Sequence, residues 1–220
     1  MISLLLNELS GLVGNIVIFL LIPFVWWLIF HRKKQGFFKF IGLTRPRLKK
    51  SIWVLLVFAV IYVIYYNIDI TNLFVNLFGD EASIQAAIDE SGAAQGSAYY
   101  GIGFAALLPG LILNLIGNGL CEEALFRGFI LKRFKGLLGI WPAIIIQGIL
   151  FGLMHNGLYL LAGISVGYVF HMGMFLSTGV AGILCGVLNE KVFEGESIIP
   201  SVLLHGVTNY WGTIREAFMI

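Results

Sequence analysis

Glu122 and Glu123 stand side by side in the stretch Glu122-Glu123-Ala124-Leu125-Phe126-Arg127, with apolar or small neighbours on both sides. Carboxylates in such surroundings are expensive, since one charge at mid-bilayer costs at least about 2.5–3.5 kcal/mol. Glu123 and Arg127 are four apart, so on a helix they share a face and can form an ion pair. Glu122 is turned away by about 100° and lacks that local partner. A carboxylate left free of a cation is what a general base needs. The plainer alternative is a buried ion-pair knot that only fixes helix packing, although one Glu would suffice for it.

Two further groups carry polar chemistry in apolar context. In Phe151-Gly152-Leu153-Met154-His155 an imidazole is expected to end a hydrophobic helix, where a histidine is more often structural. In His205-Gly206-Val207-Thr208-Asn209 the imidazole and the amide are four apart and project from one face, while Gly206 lets another backbone approach closely. That pair reads equally well as catalytic or as interhelical hydrogen-bond glue.

The elements that must position these groups are membrane helices. Of 220 residues 59% are hydrophobic and only 12% charged. A soluble domain carries about 25% charged residues, and the mean hydropathy of +0.91 points the same way. The net charge of +2 is too small to imply a nucleic-acid partner. Cys121 and Cys185 lie in apolar stretches without CxxC spacing and read as small buried hydrophobes. The first apolar run has no basic residues before it and no small-residue cleavage site, so it is expected to be a retained helix.

A span needs roughly 20 apolar residues. The expected spans begin with Gly11 to Phe30 and Ser51 to Tyr66, followed by Tyr100 to the basic group Lys132–Lys135, interrupted at Pro109. Then come Trp141 to His155, two short spans within Gly157 to Leu188 joined near Gly173, and Ile198 to Ile214. The fold class is therefore all-α, a polytopic membrane bundle of about seven transmembrane helices. Residues 1–98 would hold two spans and an acidic external loop, and residues 99–220 the core bearing the polar groups, in one continuous membrane domain. Within the loop, Asp80 to Glu90 is expected to form a short amphipathic helix and Ser91–Ser97 a flexible linker. Basic residues at Arg32–Lys34, Arg45–Lys50 and Lys132–Lys135 put those loops in the cytoplasm. The acidic segments Asn67–Ser97 and Asn189–Ser197 then face outside, the N-terminus is outside and the C-terminus cytoplasmic. At 1.5 Å per residue, Glu122, His205 and His155 come to roughly 16, 18 and 20 Å above the cytoplasmic face. Asn114, Asn118, Gln147 and His171 are expected to hydrogen-bond between helices, and Trp26-Trp27, Tyr99-Tyr100 and Tyr210-Trp211 to anchor span ends.

Glu-Glu-x-x-x-Arg, Phe-x-x-x-His and His-x-x-x-Asn, in this order on hydrophobic helices, resemble the three motifs of the CAAX protease and bacteriocin-processing (CPBP, or Abi) family. The family includes the type II CAAX prenyl proteases. The likeness covers Pro109 to Asn209. It implies a helical intramembrane endopeptidase in the cell membrane, with a site open to the cytoplasm and a hydrophobic or membrane-associated peptide as substrate. Carried over by motif, Glu122 would be the general base, activating water with His155, while His205 and Asn209 stabilise the oxyanion and Glu123 pairs with Arg127. Members are often labelled metalloproteases. The chain has no H-E-x-x-H, so no cofactor is required, yet Glu122, His155 and His205 could bind Zn²⁺. Equally, Glu122 and His155 could polarise water directly with Asn209 as oxyanion donor. The alternatives are a non-catalytic bacteriocin-immunity or scaffold protein on the same fold, or a proton-coupled transporter, for which the expected inverted repeats are not visible.

Overall fold

The computed structural model describes residues 2–46, 52–93, 97–161 and 167–220, and among them all regular structure is helical. The basic residues Arg47, Lys49 and Lys50 lie outside the described residues. Helix α1 runs over Ile2–Phe30. A short α2, Phe37–Phe40, leads to α3, Ile52–Asn67, and α4, Ile70–Phe78. Next come α5, Glu81–Ala93, the long α6, Gly103–Leu138, and α7, Ile140–Leu161. Helices α8, Tyr168–Val192, and α9, Ile199–Phe218, complete the described part.

Among the described residues five helical segments are long and apolar enough to cross a bilayer: Ile2–Phe30, Ala59–Phe78, Gly103–Leu138, Ile140–Leu158 and Tyr168–Val192. The surface of α1 shows why a bilayer is needed. Ile2, Leu6, Val13, Val17, Ile22 and Ile29 are all exposed, a face that only lipid satisfies. The sixth long helix, α9, is more polar but reaches from one end of the bundle to the other. Its start hydrogen-bonds the loop after α2, through Ile198 N–H to Gly42 O at 2.9 Å. Its end packs on the start of α6, with Phe218 and Phe104 edge to face at 5.2 Å.

The expected count of about seven is corrected by the Gly-rich stretch. The two short spans meeting at Gly173 are a single helix, α8, which runs straight through that glycine. Gly173 is a packing glycine: a Cβ there would lie 2.8 Å from Thr71 Cα of α4. Residues 162–166 of the stretch lie outside the described residues. One crossing fewer reverses everything after it. The turn after α8 meets the basic loops, since Glu190 pairs with Lys135 and Thr44 hydrogen-bonds Glu196 O. It was expected on the opposite side. The C-terminal residues Ala217 and Phe218 pack with Leu4, Tyr99 and Ile102, and Gly101 N–H donates to Glu216 O at 3.2 Å. Both termini therefore lie at one end of the bundle, opposite the basic loops, and an outside N-terminus with a cytoplasmic C-terminus is corrected.

Smaller departures have local causes. Helix α1 begins well before Gly11 because Gly11 and Gly14 sit in a helix facing open space. Pro109 does not break α6, because it falls in the first turn after the 3₁₀ segment Gly103–Ala106, where no N–H is required. His155 is not a helix end, since α7 continues to Leu161. The amphipathic helix in the acidic segment is α5, which extends through Ala93 into the expected linker, and residues 94–96 lie outside the described residues.

Candidate active site

Helix α6 presents the two carboxylates. It is ordinary α-helix over Cys121–Glu123, with wider π turns before it at Ile112–Leu120 and after it at Ala124–Leu131. Such turns are frequent at functional sites. The same stretch is where α6 and α9 come closest. A Cβ on Gly119 would lie 3.1 Å from Gly206 Cα, and one on Gly206 would lie 2.9 Å from Leu115 Cα. This backbone contact brings His205 against α6.

Glu123 is the hub. Its Oε1 lies 2.9 Å from Arg127 Nη1 and accepts from His205 Nδ1 at 3.1 Å, and both the carboxylate and the guanidinium are fully buried. Arg127 is fixed on other sides as well. Its Nη2 donates to Gly182 O at 3.2 Å, beside Gln147 Nε2, which donates to the same carbonyl at 2.7 Å. The guanidinium also lies over the Phe151 ring at 4.4 Å. Helix α8 can come this near because Gly148 of α7 and Gly182 of α8 cross without side chains.

The two imidazoles have definite tautomers. A carboxylate only accepts, so His205 Nδ1 carries a proton and its Nε2 is left for other work. His155 Nδ1 stands 2.9 Å from Phe151 O, which also only accepts, so Nδ1 is the protonated nitrogen and Nε2 holds a free lone pair. His155, His205 and Asn209 all line a cavity of about 340 Å³, together with Arg127 and Phe151.

Glu122 does not line that cavity. It is 8% exposed, and its Oε2 makes no hydrogen bond. Four of the six expected residues, Arg127, His155, His205 and Asn209, line one cavity, Glu123 joins two of them from off its wall, and Glu122 is buried off the wall with an unused oxygen. The three suggested metal ligands, Glu122, His155 and His205, do not form a ligand set. Among the described residues no three His, Cys, Asp or Glu side chains stand where one ion could be held.

The rest of the wall comes from residues the motifs do not mark. Tyr62 and Tyr65 of α3 line it, as do Ser177 and Thr178 of α8 and Asp69, the cap of α4. Tyr65 OH donates to Ser177 O and closes that side. Tyr62, Tyr65 and Asp69 follow a three-then-four spacing, so one polar face on an otherwise apolar helix was the available signal. The expected interhelical bonds also form. Asn114 Nδ2 donates to Thr213 Oγ1 at 2.9 Å, and His171 Nδ1 meets Asn156 Oδ1 at 2.8 Å.

Comparison with known proteins covers the same stretch of chain. Residues 104–211 match the family described as type II CAAX prenyl endopeptidase Rce1-like. The matched segment begins in the first turns of α6 and ends just past Asn209, so it contains all six motif residues. No curated protein and no solved structure matches the chain.

Proposed function

Since residues 104–211 belong to the Rce1-like family of type II CAAX prenyl endopeptidases, which are membrane proteases, we propose that this chain hydrolyses a peptide bond inside the membrane without a metal. The observation that carries the proposal is the pair of imidazoles on one cavity, each held through Nδ1 by a protein acceptor.

His155, on the cavity wall with Nδ1 engaged, takes a proton from water through Nε2 as the water attacks the scissile carbonyl, and Glu122, buried off the wall with an unengaged oxygen, is the base that receives the proton in turn. His205 is held by the Glu123 carboxylate, which stabilises its protonated form. A protonated Nε2 and the Asn209 amide then donate to the oxyanion, where a preorganised donor in a dry site is worth about 10²–10³-fold in rate. Collapse of the tetrahedral species returns the proton to the leaving amine. Arg127 does not touch substrate; it positions Glu123 and through it His205. The substrate is a hydrophobic or membrane-associated peptide, as suits a cavity walled by Tyr62, Tyr65 and Phe151.

The test is cleavage of quenched-fluorescent peptides, prenylated and unmodified, by the purified protein. Glu122→Gln keeps shape but loses the base, and turnover should fall by about 10²–10⁴-fold. The same assay with a strong chelator should be unchanged. Full turnover in folded Glu122→Gln would remove Glu122 from the chemistry. Loss in chelator with recovery on added Zn²⁺ would replace the metal-free route.

A further inference from the structure

Among the described residues Asp69 is the one carboxylate on the cavity wall. It is exposed, and it lies within the apolar segment Ala59–Phe78. A charge in such a segment faces a water-filled cavity or an opposite charge, and marks a functional site by default. No ion pair among the described residues includes Asp69. The guanidinium on the same cavity, Arg127, is committed to Glu123, to Gly182 O and to the Phe151 ring. Asp69 also caps α4, its Oδ1 accepting from Asn72 N–H at 2.9 Å and its Oδ2 from Asn72 Nδ2 at 2.5 Å. Capping does not explain the charge, because Asn caps a helix as well as Asp. Both donors are neutral, so they hold the carboxylate in place without cancelling it. They use two of its roughly four lone-pair sites.

The neighbours of Asp69 on the wall are acceptors too. Tyr65, four residues earlier, spends its hydroxyl hydrogen on Ser177 O, so its oxygen can only accept. Thr178 Oγ1 donates to Met174 O at 2.8 Å and is likewise left as an acceptor. The groups given to the chemistry, His155, His205 and Asn209, stand on other helices, α7 and α9. The cavity therefore pairs a catalytic side with a side that offers a carboxylate and hydroxyl lone pairs. A positive group is what satisfies the second side.

We infer that Asp69 is a specificity residue of this cavity. Its substrate class is an apolar peptide that carries a cationic group, a lysine or arginine side chain or a free terminal ammonium, near the bond that is cut. The inference rests on reading the cavity as the peptidase site and narrows what that site accepts.

The experiment measures peptide binding to the full chain in nanodiscs of phosphatidylcholine, a lipid without net charge. The probes are short peptides of leucine, alanine and phenylalanine with a neutral fluorophore. Each carries one lysine, at successive positions, or one norleucine in its place, which keeps the stem and drops the ammonium. N-acetylated and free forms separate a side-chain cation from a terminal one. The peptide with the cation should bind about tenfold tighter than its neutral counterpart, as one hydrogen bond to a charged group allows. That preference should disappear in Asp69→Asn, which keeps the cap and therefore the thermal midpoint. Asp69→Ser is the second cap-keeping variant should Asp69→Asn fold poorly. Asp69→Lys should turn the preference toward a glutamate peptide. Equal binding of charged and neutral peptides by the wild type at every position, or no binding of either, overturns the proposal. So does a preference that survives unchanged in Asp69→Asn. Cleavage of the same peptides is followed separately. A cation preference lost in Asp69→Asn, with no peptide cut by the wild type, would refute the peptidase reading and leave Asp69 as the cation-selecting group of the cavity.

Discussion

At the scale of the residue, the site is organised around a carboxylate that is not itself placed to meet substrate. Glu123 holds a guanidinium and an imidazole through one oxygen in a fully buried position. Removing one partner of such a pair leaves an uncompensated charge, a loss of about 3–5 kcal/mol. Arg127→Ala should therefore lower the thermal midpoint in detergent and also lower activity, because His205 loses its support. An Arg127→Ala protein with wild-type thermal stability would show that Glu123 is neutralised some other way. The i,i+4 spacing made the Glu123–Arg127 pair legible, since that contact lies within one helix. The Glu123–His205 bond was not, because 82 residues separate the two and only the packing of α6 on α9 joins them. The depth expected for His205 takes α9 to start outside, whereas α9 starts at the basic end.

At the scale of the element, glycines set which helices touch, and here sequence reading was half right. Gly206 was expected to admit a neighbouring backbone, and it does. Gly173 was expected to turn the chain, but it packs on Thr71 instead. Both glycines sit in apolar runs, and nothing local distinguishes a glycine that ends a helix from one that lets helices cross. Helix α3 shows the complementary limit: it carries no motif, yet its tyrosines close the cavity. The crossings can be tested by volume. Gly206→Val puts branches where a Cβ alone would stand 2.9 Å from Leu115 Cα. Overpacking of this kind costs about 1–3 kcal/mol, and here it also pushes His205 away from Glu123. Gly14→Ala is the control, since nothing lies within 4 Å of its Cβ position in α1. It should be neutral or stabilising by up to about 1 kcal/mol, the helical preference for Ala. Thermal unfolding of the two variants in one detergent decides the matter. Equal midpoints would mean that the α6–α9 contact relaxes without cost.

At the scale of the molecule, the arrangement of ends decides how the site meets its surroundings. Composition and the long apolar runs made a helical membrane bundle legible, and the basic clusters marked one face. The side of the C-terminus was not legible, because it depends on the parity of the crossings and a single misread glycine inverts it. Among the described residues the chain crosses from one end of the bundle to the other an even number of times. The loop after α2, the turn after α6 and the turn after α8 gather at the basic end through Gly42, Lys135 and Glu190. Leu4, Tyr99 and Phe218 gather at the other. These contacts cannot coexist with termini on opposite sides, since a helix long enough to cross the bilayer holds each group at its own end. Short epitope tags on the N-terminus and, separately, on the C-terminus should therefore share one protease-protection pattern. With the basic loops inside, both should be removed by protease added to intact cells and both protected in inside-out vesicles. Removal of one tag from intact cells with protection of the other would mean an odd number of crossings, and α8 would then have to be broken into the two short spans that the Gly-rich sequence suggests.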